Sequence, residues 1–500
     1  MTLFAIGVGG TGAKCLEALT HLHACGLVDG GSGGGGRSSL GTFLVDPDQQ
    51  SALLLRAQTA ISRYGALRRA IGDRGDTFAR GDIHDYGHWS PLSSSTGAMS
   101  LDQVFPKAIL NSQASGLAGL FDCLFPPEEQ EADLEVGFRG RPPIGAAVMN
   151  RINLEQEAQT GQWQRMLADI QAAAGNGEAP VIHLFGSVFG GTGASGVPSL
   201  GLLLKNWLRE QNLASVSVQA SLLLPYFDFD GQGNSNTGVH AEARNFQLNT
   251  DAALQYLRAS GPSCFDRVYL VGSDLKTRYG FSIGGTSQAN AAHLVELLAA
   301  LGAREQAPAN GYAFVLSRAR QGQVGWEDIP DDAPVGEALA RGARFAVAWL
   351  NNFSQEIDAA QQVSMGAFLS GAPWARRFFS PSGAPTAKAG SRPAIRDSTE
   401  LALKTCIDLY SEALLQWLQQ ISTNHGGGFE QELFDPEALG RATSPHNDLH
   451  RVVRGKARPD RPEATDTVES MKITIDRLPA EAIGRVGMAG LADTLWTLSA

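Results

Sequence analysis

The sequence lacks a basic surplus, paired cysteines and long hydrophobic runs, and each absence excludes a class of protein. Its 500 residues carry 51 acidic side chains against 40 lysines and arginines, so the formal net charge is −11. Nucleic acid is therefore excluded as the main partner, because phosphate backbones attract basic surfaces. The five cysteines are widely spread without a CxxC pair, which favours reduced thiols in a cytosol over disulfides or a zinc site.

No stretch reaches the roughly 18 apolar residues that a bilayer span needs. The N-terminus also lacks the basic region of a secretory signal. These absences predict a cytoplasmic chain without an integral membrane segment. What the sequence has in excess is glycine, with 58 residues, alongside 43% hydrophobic residues that suffice for folded cores.

Short apolar runs alternate with helix-compatible segments through roughly the first three-fifths of the chain. Such alternation predicts an α/β fold in which a mostly parallel, Rossmann-like sheet carries helices on both faces. The segment 61–106 has poor periodicity and predicts an irregular insertion with short helices. The runs that predict strands are residues 3–8, 40–45, 180–185, 216–224 and 267–271.

The predicted sheet is followed by a region of different character. Residues 1–283 hold the sheet, and residues 284–305 predict a long central helix because apolar residues recur at helical spacing from Ser287 to Ala303. The division between the sheet and the remainder of the chain is therefore placed at this helix.

The last part of the chain, residues 306–500, predicts a divergent α+β C-terminal domain. An apolar stripe between Leu403 and Ile421 predicts a helix, and the alternation at Ser470–Asp476 predicts a strand. Two stretches rich in Pro, Ser, Gly or charge, near 380–393 and 442–465, predict flexible joints.

Two glycine turns stand between a predicted strand and a predicted helix. The first, Gly7–Gly12, reads GVGGTG, and the second, Gly190–Gly193, reads GGTG. Glycine lets backbone N–H groups approach an anion at a helix N-terminus, where the helix dipole favours negative charge. The first turn alone is also compatible with a tight turn that binds nothing. Two such turns on one parallel sheet would converge on one polyphosphate, and a third glycine segment, Gly137–Gly145, reads GFRGRPPIG.

Two further motifs accompany these three segments: VDPDQ follows the second strand, and LPYFDFDG follows a later one. Together the five motifs occur in the order of the nucleotide-binding loops of the tubulin/FtsZ superfamily. The chain resembles that family over residues 1–305, whereas the remainder looks unlike the family's usual second domain, which indicates a divergent prokaryotic tubulin-like (FtsZ-like) branch. The resemblance implies GTP or GDP binding with Mg²⁺, slow GTPase activity, and head-to-tail association into a homo-oligomer or filament. A protein partner at a membrane, in membrane remodelling or defence, is compatible with it.

Carried over residue by residue, the resemblance assigns the glycine segments to the phosphates, where either Arg141 or Arg139 could add a charge-assisted contact. Asp46 and Asp48 match the loop that approaches the nucleotide and its Mg²⁺. Lys14 stands where the family has an Asn or Gln that contacts guanine, and Asn290 is expected to read the base edge. The implied phosphate-binding residues are Gly9, Gly10, Thr11, Gly12, Gly140, Arg141, Gly145, Gly190, Gly191, Thr192 and Gly193.

Hydrolysis in the family depends on acidic residues that follow the central helix and complete the site of the next subunit. The family's NxDxxD pattern is absent after Ala303, but Asp328 and Asp331 keep a DxxD spacing with Trp326 in place of Asn. The resemblance makes these two carboxylates the candidate catalytic residues. An acidic, proline-bearing run of this kind is also typical of a solvated loop.

Two other functions are compatible with the same glycine turns. One is a scaffold that binds the nucleotide without hydrolysing it, which the departure from the acidic pattern favours. The other is a Rossmann oxidoreductase that binds NAD or FAD, since GxGxxG also occurs there. The second and third glycine segments have no role in that oxidoreductase, so the tubulin/FtsZ-like interpretation is preferred.

Overall fold

The structure is a computed structural model, which describes most of the chain. The described residues are 2–27, 39–72, 78–92, 100–114, 116–230, 245–273, 276–280, 285–287, 289–304, 313–318, 326, 329, 333–380, 392–423, 433–440, 448–455, 458, 460–479 and 482–500.

The described residues form nine strands and nineteen α-helices. The strands are β1 Thr2–Val8, β2 Ser39–Val45, β3 Asp82–Trp89, β4 Val181–Ser187, β5 Ser217–Leu223, β6 Phe227–Asp230, β7 Arg267–Gly272, β8 Thr277–Gly280 and β9 Ala313–Arg318. The helices are α1 Gly9–Ala24, α2 Ala52–Ile71, α3 Leu101–Val104, α4 Lys107–Gln113, α5 Leu117–Leu124, α6 Pro127–Gln130, α7 Pro142–Met149, α8 Leu154–Glu157, α9 Gly161–Gly175, α10 Gly191–Glu210, α11 Phe246–Cys264, α12 Leu294–Leu301, α13 Ala333–Ala348, α14 Ser354–Ala360, α15 Met365–Gly371, α16 Ser398–Thr423, α17 Pro436–Leu439, α18 Val468–Arg477 and α19 Gly487–Leu498.

Seven of the strands form one parallel sheet in the order β3-β2-β1-β4-β5-β7-β9, and β6 pairs with β8 in a small second sheet. The chain winds from β1 towards β3 in one direction and from β4 towards β9 in the other. The reversal lies between β1 and β4, where neighbouring connections leave the sheet in opposite directions. In open α/β sheets a crevice forms at such a point, outside the carboxyl ends of the strands.

The sheet is buried on both faces because successive side chains of each strand point in opposite directions. In β1, Leu3 and Ala5 join the core shared with α1, α2 and α12, whereas Phe4 and Ile6 join the core shared with α7, α9 and α10. The predicted α/β class with a parallel sheet covered on both faces is therefore confirmed.

Several predicted boundaries are wrong. Residues 61–106 do not form an irregular insertion, because α2 runs to Ile71 and β3 is the edge strand of the main sheet. The predicted division between sheet and C-terminal part also fails, since β9 pairs with β7 and belongs to the same sheet.

The predicted long central helix is replaced by an eight-residue helix, α12. His293 and Glu296 form a capping box at its start: the Val295 amide donates to His293 Nδ1 (3.1 Å), and the His293 amide donates to Glu296 Oε2 (2.9 Å). A capping box satisfies the amides of a helix's first turn and so marks where the helix begins.

After β9, the described residues of the C-terminal part form helices joined by loops, with two isolated bridges and no further strand, which corrects the expectation of an α+β domain. The predicted strand at 470–476 is helix α18, whose Val468, Met471 and Ile475 are buried at helical spacing. The predicted stripe between Leu403 and Ile421 is helix α16, which packs on α2. One continuous hydrophobic core joins these helices to the sheet, because the buried residues of α13, α16 and α19 contact the same cluster as α1. Within the described parts of the chain, no helix has the length and apolar character needed to cross a membrane.

Candidate functional site

A cavity lies at the carboxyl ends of β1 and β4, where the strand order reverses. Three glycine segments line it: Gly9 to Thr11 from the start of α1, Gly137 to Gly140 from the loop before α7, and Gly190 to Gly193 from the start of α10. Its volume is about 120 Å³. Because one water needs a cavity of roughly 10–15 Å³, the space suits an anion of several heavy atoms.

The three segments touch one another around the cavity. A Cβ added to Gly191 would lie 2.9 Å from the Phe138 carbonyl oxygen and 3.0 Å from the Gly140 amide nitrogen. A Cβ added to Gly9 would lie 3.1 Å from the Thr192 Cβ, and Gly9 has a φ of +74°. Side chains at these positions would separate the segments, so glycine is required by close approach and, at Gly9, by backbone conformation.

Two long helices begin at the cavity without a side-chain cap. Neither α1, with Val8 at its N-cap, nor α10, with Gly190 at its N-cap, receives a side-chain hydrogen bond at its N-terminus, and neither has an acidic residue in its first turn. The first amides of a helix have no intrahelical acceptor, and the helix dipole places partial positive charge there. Two such ends at one cavity make an environment that attracts an anion.

The loop before α7 has a strained backbone. Gly137 and Gly140 have φ values of +89° and +69°, and Arg139 between them has a φ of +50°, which is unfavourable for a residue with a side chain. The Arg139 Nε donates to the Asp133 carbonyl (2.9 Å). This conformation places Arg139 in the cavity wall.

Asp46 and Asp48 lie at the end of β2 and are the carboxylates among the described residues that line the cavity. Both are 4% exposed. Asp46 Oδ1 accepts the Asp48 amide (3.1 Å), and Asp48 accepts the amides of Gln50 (3.0 Å) and Gly285 (2.8 Å). Burial raises the pKa of the Asp46 carboxyl to about 8, opposed by the hydrogen bond from Asp48.

Lys14 lies in the cavity wall and forms a buried ion pair with Glu296 of α12. Their side chains are 2% and 1% exposed. The Lys14 ammonium lies 5.7 Å from the Tyr226 ring centroid and 5.8 Å from that of Tyr279, and Tyr226 Oη donates to Glu296 (2.5 Å). Desolvation lowers the pKa of Lys14, and the Glu296 carboxylate opposes that shift. The ion pair joins α1 to α12 below the cavity.

Asn290 lines the same cavity and is 8% exposed. The backbone carbonyl oxygen of Asn290 accepts a hydrogen bond from Arg56 Nη1 (3.0 Å), and Arg56 Nε also donates to Glu17 Oε2 (2.8 Å). Gln420 of α16 accepts both Arg56 Nη1 (3.0 Å) and the Ala292 amide (2.8 Å) through Oε1. The C-terminal helix α16 therefore holds the backbone that presents Asn290 to the cavity.

The structure gathers most of the residues expected to bind a nucleotide, but three lie elsewhere. Gly12 packs α1 against β4, since an added Cβ would lie 2.5 Å from the Phe185 carbonyl oxygen. Gly145 packs α7 against α10, where its Cβ would meet the Ser195 side chain. Arg141 pairs with Glu129 (3.4 Å), and Arg139 takes the place at the cavity. Asp328 and Asp331 lie outside the described residues.

Several residues that line or support the cavity were missed by sequence reasoning. Asn249 of α11 donates through Nδ2 to the Gly140 carbonyl (3.1 Å) and the Phe189 carbonyl (3.0 Å), and so ties two of the glycine segments together. No sequence signal marks it, because its partners are 60 and 109 residues away along the chain. The aromatic residues Tyr226 and Phe227 follow β5 at the same sheet edge, which the LPYFDFDG motif could have indicated; the other missed lining residues are Leu53, Val136, Ser187, Phe189 and Phe246.

No group of three acidic, histidine or cysteine residues suited to a metal occurs in the described chain. A comparison with models of known protein families finds no match, and no curated protein matches the chain. A functional proposal for this chain therefore depends on its fold and its cavity. These are a parallel α/β sheet and a glycine-lined cavity at the point where the strand order reverses.

Proposed function

We propose that this chain is a tubulin/FtsZ-like GTP-binding protein with slow, Mg²⁺-dependent GTPase activity. The observation that carries the proposal is that three glycine segments, distant in sequence, line one cavity between two uncapped helix N-termini. Polyphosphates bind at such sites through backbone amides and the helix dipole. The order of the motifs along the chain favours GTP over other polyphosphates.

The cavity residues divide into phosphate, metal and base contacts in this proposal. The first turns of α1 and α10 would bind the phosphates through their amides, helped by Thr11, Thr192 and the Arg139 charge. Asn290 would contact the base edge, since its amide both donates and accepts. Lys14 is already paired with Glu296, so it would contribute position and charge rather than a direct contact to the base.

The donor set at Asp46 and Asp48 fits Mg²⁺. This ion is commonly held by one or two carboxylates together with substrate phosphates and waters. Two buried aspartates beside the phosphate-binding turns provide that set, because the charge of the cation would favour the ionised form of Asp46 against the effect of burial. When bound, the ion would neutralise phosphate charge, while the chain's own amides orient the terminal phosphate.

Identification of the nucleotide released on denaturation tests the proposal most directly. We expect GTP or GDP in near-stoichiometric amount from protein purified with Mg²⁺. Binding of no nucleotide, even after incubation with millimolar GTP and Mg²⁺, would contradict it.

Asp48→Asn is expected to weaken Mg²⁺-dependent GTP binding by roughly tenfold, because a charge-assisted contact contributes about 1.5–3 kcal/mol. The measurement is GTP affinity with Mg²⁺ and with EDTA. Asp251→Asn removes one exposed carboxylate from α11 and serves as the matched control. An unchanged ratio between the two conditions in Asp48→Asn would remove Asp48 from the metal site.

Gln420→Ala is expected to weaken GTP binding by roughly fivefold, although Gln420 lies outside the cavity lining, since a hydrogen bond contributes about 1 kcal/mol. The reason is that its Oε1 holds Arg56 and the Ala292 amide, which position Asn290. Gln419→Ala, at the neighbouring exposed position, is the control. Equal affinities for both variants would show that α16 does not influence the base contact.

Oligomerisation is part of the proposal because the resemblance to the tubulin/FtsZ superfamily implies head-to-tail association. If head-to-tail assembly completes the catalytic site, with Asp328 and Asp331 supplied by the next subunit, GTP turnover per molecule rises with protein concentration. Imaging with a slowly hydrolysed GTP analogue would then reveal filaments.

A non-hydrolysing scaffold is the alternative that the departure from the NxDxxD pattern favours. It predicts bound GTP without turnover at any protein concentration. A protein partner at a membrane is a further expectation of the resemblance.

One observation favours a dinucleotide instead. Asp46 directly follows β2, and in Rossmann enzymes a carboxylate at the end of that strand binds the ribose of NAD. Retained nicotinamide or a flavin absorbance spectrum in the purified protein would decide for that alternative.

A further inference from the structure

A second cavity lies between α7, α10 and α11, directly behind the first turn of α10. Its volume is about 310 Å³. This lies at the lower end of the roughly 300–1,000 Å³ typical of small-molecule sites. Its walls include Pro142, Ala146, Ala253 and Leu257, and the apolar part of its surface exceeds the polar part.

The lining of this second cavity carries no charge among its described residues, in contrast to the first cavity with Lys14, Arg139, Asp46 and Asp48. A charged ligand would lose its hydration there without gaining an ionic partner, which is costly. The occupant that fits is therefore neutral and largely apolar.

Two hydrogen-bond acceptors belong to residues that line this cavity. Pro198 lies inside α10 and has no amide N–H, so the Ala194 carbonyl lacks the hydrogen bond that the residue four positions later ordinarily donates. Asn249 already donates through Nδ2 to the Gly140 and Phe189 carbonyls, which leaves Oδ1 as the group that its side chain can offer. Both Ala194 and Asn249 line the cavity. An acceptor without a donor in an apolar wall selects a ligand that carries a donor.

We propose that the cavity between α7, α10 and α11 is a second ligand site, which binds a neutral, mainly apolar small molecule that donates a hydrogen bond. The assignment stands on this cavity's own shape, neutrality and acceptors, and does not depend on the nucleotide. Gly193 lines both cavities, so the two sites share a wall.

The test uses the fluorescence of N-phenyl-1-naphthylamine, a neutral apolar probe with a single N–H donor, titrated into the full-length protein. We expect saturable binding of one probe per chain. Ala253→Trp places an indole in the cavity and should weaken binding at least tenfold. Gln255→Trp adds the same ring at an exposed position of α11 outside the lining and should leave affinity within twofold.

A matched ligand tests the donor requirement. 1-Benzylnaphthalene replaces the N–H of the probe by CH₂, and it should displace the probe roughly fivefold less well, since one hydrogen bond contributes about 1 kcal/mol. If Ala253→Trp fails to fold, Ala146→Leu narrows the cavity from α7 and substitutes for it. Non-saturable binding, equal affinities of the Trp variants, or equal displacement by both ligands would each overturn the proposal.

Discussion

Replacing Gly191 by Asp and Thr192 by Val together is expected to abolish GTP retention, with affinity reduced by more than 100-fold. The Gly191 Cβ would enter the contact with the Phe138 carbonyl and the Gly140 amide, so two of the three glycine segments would separate. The new carboxylate would also occupy the N-terminus of α10, where its charge competes with phosphate for the same amides. The measurement is the nucleotide content of the purified variant and its affinity for added GTP.

Two further variants separate this effect from misfolding. Gly119→Asp adds the same carboxylate to an exposed position of α5, where a Cβ meets nothing within 4 Å, and should retain nucleotide. Thr192→Val alone keeps the shape of the side chain and removes one hydroxyl from the cavity wall. It should bind GTP roughly tenfold more weakly with an unchanged melting temperature, as expected for a lost hydrogen bond to a charged group. Full retention by the double variant would remove the second glycine turn from the site.

The folded state is expected to lose about 6 kcal/mol of stability between pH 7.5 and pH 5, because three histidines are buried in the neutral form. Burial lowers the pKa of His21, His183 and His293 from 6.5 to about 3 in each case. Arg56 near His21 and Lys14 near His293 reinforce the shift. A histidine whose pKa is lowered on folding contributes its full stability above about pH 6.5 and loses it as the pH falls towards 3, since the unfolded chain binds the proton first. At pH 5 each of the three accounts for about 2 kcal/mol.

Urea unfolding at several pH values measures this dependence. His21→Phe should remove about a third of it, since His21 stacks on Trp417 at 5.0 Å between ring centroids and its Nε2 has no partner, so an apolar ring of similar size fits the site. His84→Phe, at an exposed position of β3, should leave the pH dependence as it is. Equal slopes for wild type and His21→Phe would show that His21 does not remain neutral in the folded chain.

The acid-sensitive histidines lie where the sheet meets the helices that surround it. His21 of α1 contacts Tyr410 and Trp417 of α16, His183 of β4 bonds to Ser221 of β5 (2.8 Å), and His293 begins α12. Protonation at these positions would place charge in a continuous core. Loss of nucleotide at low pH would therefore accompany unfolding of the whole chain rather than release from an intact cavity.

Local patterns in the sequence were sufficient to predict the alternation of strands and helices and the glycine turns. Buried parallel strands appear as short apolar runs, and a glycine turn between strand and helix is a local feature, so both can be read along the chain. The failures arose where distant partners decide. Ser470–Asp476 alternates like a strand but is helix α18, because Val468, Met471 and Ile475 find apolar partners at helical spacing.

The sequence by itself determined the parallel α/β class and the glycines and carboxylates of the cavity, since glycine turns, carboxylates and strand ends are encoded locally. Only the tertiary structure decided which residues meet there: Arg139 rather than Arg141 lines the cavity, Gly145 packs two helices together, and Asn249 ties two segments. The structure also attached α16 to Asn290 through Arg56 and Gln420, two residues that are 364 positions apart in the sequence. Such contacts depend on how the helices pack on the sheet, and no local pattern specifies that arrangement.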